Sequence, residues 1–313
     1  MAPDFDVVVV GAGPAGASVA LHLARLAPAV ARRTLLLERA ELPRPKPCAG
    51  GVTGQGLAVL RRLGLTPPPP LLPLRRVEVA FEGSRWAAEA AGLGITVERA
   101  RFDAWLAAEA AAAGARLHTG EAVVAVSLGE AGATVATGAG RYTARCLVAA
   151  DGGASTVLRC LGWPPPAHRA RLLYVEDDQP PEATGLSRET LYLDLSPAAA
   201  GLHGYLWDFP SPAGGRVGVH RGLYDRGDPG SLRGSLKPLF QAALRARGVD
   251  PGRLRLAGYH EREIPARPVV AAPRLLLAGE AAGIDPLFGE GIAQALAHGR
   301  LVAREIARAA ATG

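Results

Sequence analysis

The sequence predicts an α/β fold, a Rossmann-like layer into which a mixed β-sheet lobe is inserted. Three observations predict it. Phe5-Asp-Val-Val-Val-Val-Gly-Ala-Gly-Pro-Ala-Gly16 runs a β-branched strand, apolar on both faces, directly into glycines at 11, 13 and 16, as expected of a strand buried between helix layers and followed by a phosphate turn. Two later segments, Cys146-Leu-Val-Ala-Ala-Asp151-Gly152 and Leu275-Leu-Leu-Ala-Gly279-Glu280, repeat the theme of a short apolar strand ending in an acid beside glycine. From Trp163 to Pro265 the pattern changes to short alternating strands, the mark of a different layer.

In the first segment Gly11 permits the tight turn, Gly13 lets the backbone approach a pyrophosphate, and Gly16 brings helix close to strand. Pro14 and Ala15 open the helix, whose free N–H groups and dipole favour phosphate. This is a Rossmann-like unit. A second strand over 35–37 ends in Glu38, 22 residues after Gly16, followed by Arg39. A carboxylate there accepts from a ribose hydroxyl and repels a 2′-phosphate, which favours FAD or NAD over NADP.

The stretch 41–56 is rich in Pro and Gly and reads as an elaborate loop with Cys48 and Ala49 at its centre. By composition alone Cys48 is a small buried filler. A helix is expected over 57–65, closed by Gly64 and stopped by Pro67. Strands over 75–81 and 84–90 form a hairpin around Gly83. A helix over 97–113 places Phe102, Trp105, Leu106 and Ala110 on one face and Arg99, Arg101 and Glu109 away from it. Arg99 is either a solvated charge or an Arg whose fork reaches cofactor phosphates. Strands follow over 117–126 and 133–141.

In the second lobe, period two puts His203, Tyr205, Trp207 and Phe209 on one strand face. Four rings make either a wall for a flat or lipophilic ligand or an aromatic core. A hairpin partner is expected over 216–221 and an amphipathic helix over 231–247, interrupted near Pro238. The last segment returns to the first sheet, with a loop over 281–291 feeding a helix over 292–309.

The chain has 313 residues and a formal charge of +6, enough length for a large core and a balance that suits an anionic membrane surface or a diphosphate substrate. Lysine occurs only as Lys46 and Lys237, so the Arg, Ala, Gly and Pro bias also fits a GC-rich genome. No basic run interleaved with aromatics points to nucleic acid. Cys48, Cys146 and Cys160 have neither disulfide-framework nor zinc spacing, and the histidines show no metal spacing, so no metal site is expected. The apolar N-terminal run follows Asp4 and Asp6 rather than basic residues, so a cytoplasmic location is expected, with peripheral membrane contact left open.

The trio Gly11-Ala-Gly-Pro-Ala-Gly16, Asp151-Gly-Gly-Ala-Ser155 and Leu277-Ala-Gly-Glu-Ala-Ala282 resembles the fingerprint set of FAD enzymes with the p-hydroxybenzoate hydroxylase fold. Lys46-Pro-Cys-Ala-Gly-Gly51, Tyr205-Leu-Trp-Asp-Phe-Pro210 and Asp285-Pro286-Leu-Phe-Gly289-Glu-Gly291-Ile292 resemble the marks of the geranylgeranyl reductase family, over nearly the full chain. The resemblance implies a discontinuous FAD-binding domain over 1–70, 97–162 and 266–313, and a substrate domain over 71–96 and 163–265. It implies Glu38 on the adenosine ribose, Arg99 on the pyrophosphate, the Val123 backbone on adenine, and Asp151, Gly152, Gly279 and Glu280 near the ribityl and phosphate groups. Cys48 and Ala49 would lie beside the isoalloxazine, Pro286, Gly289, Gly291 and Ile292 by its pyrimidine edge, and Tyr205 and Trp207 along the substrate cavity. Glu280 stands where the family usually has Asp, Ala49 where Gly is common, and Leu202 where proline often begins the aromatic motif. The chain ends soon after its last helix, where many family members continue into a segment that helps close the cavity. Closure by a membrane, a second subunit or a carrier, or a smaller ligand, is the corresponding expectation.

The function these marks imply is reduction of carbon–carbon double bonds in a polyprenyl or similarly lipophilic substrate by hydride from reduced flavin N5. Cys48, Tyr205 or a water is the expected proton donor, with Tyr205 and Trp207 holding the chain. A second nicotinamide domain is absent, so the expected electron donor is transiently docked NAD(P)H, ferredoxin or flavodoxin. The alternative is an FAD monooxygenase of secondary metabolism that hydroxylates or epoxidises. A flavin halogenase, which needs a pocket lysine, and a non-catalytic flavoprotein rank below it.

Overall fold

A computed structural model gives the structure of the chain and describes residues 2–166, 169–285 and 287–312. Pro286, one of the expected site residues, lies outside them. The strand expected at the N-terminus is β1 (Phe5–Val10), and Pro at the first turn starts α1 (Pro14–Leu26), followed by a short α2 (Pro28–Ala31) and β2 (Thr34–Leu37). The Pro/Gly-rich stretch is a loop only as far as residue 50. It then forms β3 (Gly51–Thr53) and runs into α3 (Gly54–Arg62).

The hairpin around Gly83 is longer than alternation suggests, β4 (Leu71–Phe81) and β5 (Ser84–Val97), because β5 carries on inward to pair with β3. Next come α4 (Arg99–Ala112), β6 (Arg116–His118), β7 (Val123–Gly129), β8 (Gly132–Thr137) and β9 (Arg141–Ala149). The single strand expected over 117–126 is thus two. β6 continues the parallel order beside β2, whereas β7 turns away to pair with β8, and the break falls where the Glu121 N–H donates to the Glu38 carbonyl.

After α5 (Thr156–Cys160) the second layer contains β10 (Ala170–Asp177), β11 (Thr190–Asp194), β12 (Gly204–Ser211) and β13 (Gly218–Asp225). The helix expected over 231–247 is shorter, α6 (Lys237–Ala246), with Pro238 in its first turn, where its missing N–H costs nothing. β14 (Ala257–Glu261), β15 (Ala271–Ala272), β16 (Leu275–Leu277) and α7 (Ile292–Thr312) complete the chain.

Among the described residues the strands form two eight-stranded sheets. The first has the path β15-β16-β9-β1-β2-β6, parallel from β16 to β6, with β8 and β7 continuing antiparallel from the outer half of β9. Its strands are apolar on both faces: Val7 and Val9 pack toward α1, α4 and α7, and Val8 and Val10 toward α5 and the β7–β8 hairpin. The second has the order β14-β10-β13-β12-β11-β4-β5-β3, antiparallel except at β11–β4. One of its faces carries Leu206 and Leu223 against Phe240 and Leu244 of α6; the other carries Tyr205, Trp207 and Tyr224.

Among the described residues no helix is long and apolar enough to cross a membrane.

Candidate cofactor and substrate site

The three glycine-bearing strand ends meet. Gly11, at φ 101°, packs so closely on the Ala150 carbonyl that a Cβ there would collide, and a Cβ at Gly16 would run into the Gly11 carbonyl oxygen. A Cβ at Gly153 would strike the Glu280 carboxylate, and one at Gly279 would sit 2.7 Å from the Ala15 methyl. Gly11, Asp151, Gly152 and Glu280, far apart in sequence, therefore border one groove.

Gly13 differs from its neighbours. It has an ordinary φ of −69° as the residue before α1, and a Cβ there would meet only the Arg44 guanidinium, at 3.6 Å. It is an open place by conformation and by space, as a backbone that faces a ligand requires.

A buried chain of alternating charges underlies the groove. Glu38 is 3% exposed and accepts from the Ala12 N–H at 3.2 Å and from Arg44, whose Nε lies 3.2 Å from Glu38 Oε1. Arg44 reaches Asp103 at 3.4 Å, and Arg99 grips Asp103 with two bonds of 2.9 and 3.0 Å. Burial opposes the charge of Arg99, but Asp103 and the adjacent Cys48 more than offset it and its pKa stands above the ordinary range. Arg99 is thus neither solvated nor turned away from the apolar face of α4, as its spacing suggested, because Asp103, one turn on, draws it inward. Arg39 is exposed, and Val123 opens β7 two residues beyond the Glu121 that bonds Glu38.

Asp151 accepts the Thr156 and Val157 N–H groups through Oδ2 at 2.7 and 3.1 Å, capping α5, while its Oδ1 is buried with no partner. Desolvation by burial raises its pKa. Open space at Gly13, a helix start behind it and an orphaned acceptor at Asp151 fit a dinucleotide with a ribityl chain and a pyrophosphate.

At the far end, Cys48 Sγ accepts the Gly50 N–H at 3.3 Å and Ala49 packs on the aromatic face of the second sheet. Gly289, at φ 63°, lies against Tyr224 and Glu261; the Gly291 carbonyl accepts the Ala295 N–H, and Ile292 is buried at the start of α7. Glu290 takes the Ala293 N–H at 3.2 Å, so part of the helix N-terminus expected to meet the cofactor is already capped.

The aromatic wall is set by register. Trp207 stands opposite Gly222, which stands opposite Tyr174, and Tyr205 stands opposite Tyr224, which stands opposite Leu172. A Cβ on Gly222 would overlap the indole, so the ring lies flat across β13 only because that position has no side chain. Gly222→Val is expected to lift the ring, costing about 1–3 kcal/mol of stability and shifting indole fluorescence while FAD content stays unchanged. Urea unfolding and emission spectra check this, and unaltered values for both would refute the placement.

His203, counted with this face, is not on it. It precedes β12, is exposed and pairs with Asp228 at 2.6 Å. His220 takes its place, accepting the Trp207 Nε1–H at 3.2 Å, with burial holding its pKa down at about 4. The Tyr205 O–H donates to the Phe288 carbonyl, fastening the wall to the loop at 287–291.

Sequence reading missed Arg44, Asp103 and a cluster around Glu280. There Lys46 Nζ donates to Tyr259 Oη at 2.7 Å, and that hydroxyl donates to Glu280 Oε2 at 3.0 Å. These partners are 213 and 21 residues apart, beyond any local periodicity, although the charged run His260-Glu-Arg-Glu263 after an alternating strand was a visible signal.

The family described as FAD binding domain matches residues 4–311. The chain is 32% identical to the menaquinone reductase of Mycolicibacterium smegmatis, an alignment spanning 95% of this chain and 75% of that one. It is 30% identical to digeranylgeranylglycerophospholipid reductase 2 of Methanopyrus kandleri, spanning 98% and 78% respectively. Among solved structures, a geranylgeranyl bacteriochlorophyll reductase-like protein of Thermoplasma acidophilum superposes with a TM-score of 0.79 at 23% identity, covering 98% of this chain and 79% of that one. Halogenase PltM in complex with phloroglucinol and FAD has the same fold, with a TM-score of 0.75 at 18% identity over 98% of this chain and 70% of the other. The fold with its converging glycine turns, together with these relatives, places the chain in the geranylgeranyl reductase family of FAD-dependent oxidoreductases.

Proposed function

We propose that the chain reduces carbon–carbon double bonds of a prenyl chain on a lipophilic substrate. The observation that carries this is the aromatic wall of Tyr205, Trp207, Phe209 and Tyr224, closed over by Ala49 and tied to the loop at 287–291. An isolated double bond has no polar handle, so only such apolar contact can hold it in line. FAD, when bound, supplies the hydride.

Glu38 and Arg44 hold the adenosine end, Gly13 and the start of α1 the pyrophosphate, and Asp151 Oδ1 a ribityl hydroxyl. Arg99 braces Asp103 and Cys48 beneath the ring system. The fold alone does not separate reductase from monooxygenase, and the reductases among the relatives favour the former. The electron donor is NAD(P)H docking transiently or a small redox protein. Leu287 and Phe288, 57% and 53% exposed beside the aromatic wall, are the surface through which a membrane lipid or lipophilic substrate approaches.

The test is anaerobic. Protein reduced with dithionite is mixed with geranylgeranyl diphosphate or with menaquinone, the latter re-oxidised at its ring in air before analysis. Flavin reoxidation with a product heavier by two hydrogens in the chain is expected. Reoxidation only in air, with an oxygen-bearing product, would replace this reading by the monooxygenase.

A further inference from the structure

We propose that Glu261 is the proton source of the site, giving its carboxyl proton to the alkene carbon that does not receive hydride. The proposal rests on the reductase reading. Glu261 ends β14 opposite Ala170 and so shares the sheet face that carries Tyr205, Trp207 and Tyr224. Its Oε2 is buried without a hydrogen-bond partner and sits 2.8 Å from where a Cβ on Gly289 would be, so it lies directly under the loop at 287–291. A buried carboxyl oxygen with nothing to accept from is better tolerated as the neutral acid than as the carboxylate.

The groups that face it work the same way. Burial first, and then the Glu280 charge, push its pKa to about 8 against the pull of Lys46, with Glu263 and Asp285 adding to the push. It therefore holds a proton at neutral pH and can part with it.

The other acids on this face are worse placed. Tyr205, Tyr224 and Tyr259 give their hydroxyl protons to the Phe288 carbonyl, Glu263 and Glu280, and burial raises all three above the ordinary phenol range. Lys46 is committed to Tyr259, and Cys48 Sγ accepts from Gly50. His220 is neutral near pH 7, with its unprotonated Nδ1 facing Trp207.

The step balances. The π bond breaks, one carbon gains hydride from reduced FAD, which is oxidised, and the other gains H⁺ from Glu261. The carboxylate left behind regains its proton from water.

The test uses the dithionite-reduced holoprotein and geranylgeranyl diphosphate in single turnover. Glu261→Gln is expected to slow product formation by about a hundredfold or more with FAD content and reduction intact, and Glu261→Asp to restore part of it with a displaced pH profile. The wild-type rate should fall as pH rises through about 8.

A second arm needs no activity. In the FAD-free protein the native acid keeps its proton between the ordinary 4.5 and about 8 while the unfolded chain loses it, so wild type should lose stability relative to Glu261→Gln across that window and hold level above it. A Glu261→Gln protein with wild-type rate and pH profile, or a stability difference flat in pH, overturns the proposal. A wild type that reduces no prenyl probe while the stability window is present sinks the reductase reading instead.

Discussion

Gly13→Arg is expected to give a folded, colourless protein. The backbone at Gly13 is ordinary, with φ −69°, and a Cβ there finds only the end of the Arg44 side chain at 3.6 Å. Fold stability of the FAD-free protein should stay within about 1 kcal/mol of wild type, since only a residue preceding a helix is changed. The new side chain must project past the end of the Arg44 guanidinium into the space that the proposed pyrophosphate would fill. Flavin absorbance after purification and FAD titration of the refolded protein measure the loss. Gly16→Ala supplies the contrast, because its Cβ would strike the Gly11 carbonyl oxygen and the Val9 side chain and therefore breaks the fold itself. FAD retained by Gly13→Arg would remove the groove from the cofactor assignment.

The second large effect is on stability. Arg221 is 1% exposed on the face of β13 opposite the aromatic wall, bonded to Asp177 at 3.0 Å, Asp208 at 2.9 Å and Thr184 at 2.8 Å. Arg247 shares Asp208 at 3.2 Å and adds Asp194 at 3.0 Å. Arg221→Ala leaves the buried Asp177 without its cation, at a cost of about 3–5 kcal/mol, a large part of the roughly 5–15 kcal/mol that such chains possess. Arg221→Lys should recover little, since one ammonium cannot replace a planar fork reaching three acceptors. Urea unfolding of both variants is the check, and a change under about 1 kcal/mol would mean the network is not closed in solution.

The first sheet was legible because its signals are local. A β-branched run, glycines at fixed offsets and an acid at a strand end state the conformation of their own segment, and β1, α1 and β2 fall where they say. The aromatic stripe was legible for the same reason, as far as strand period reaches. His203 fell off it because the strand begins one residue later and Asp228 offers its ring a better partner. His220 and Gly222 could not be seen to belong, since only register with β12 brings them there. Spacing alone sets Arg99 away from the apolar face, because periodicity does not reveal that Asp103 is buried beside Arg44. Nothing local marks Glu261, because the loop that covers it is brought there only by tertiary folding.

The order of the first sheet has one more effect. β9 and β16 are parallel neighbours, and most of the second sheet leaves the chain after one and returns before the other. The chain just past the end of β9, at Gly153, and just past the end of β16, at Glu280, touch each other. The contact therefore draws the strand that follows the long excursion against the strand that precedes it. A dinucleotide seated there, as proposed, would brace both strand ends at once, and its departure would slacken them together.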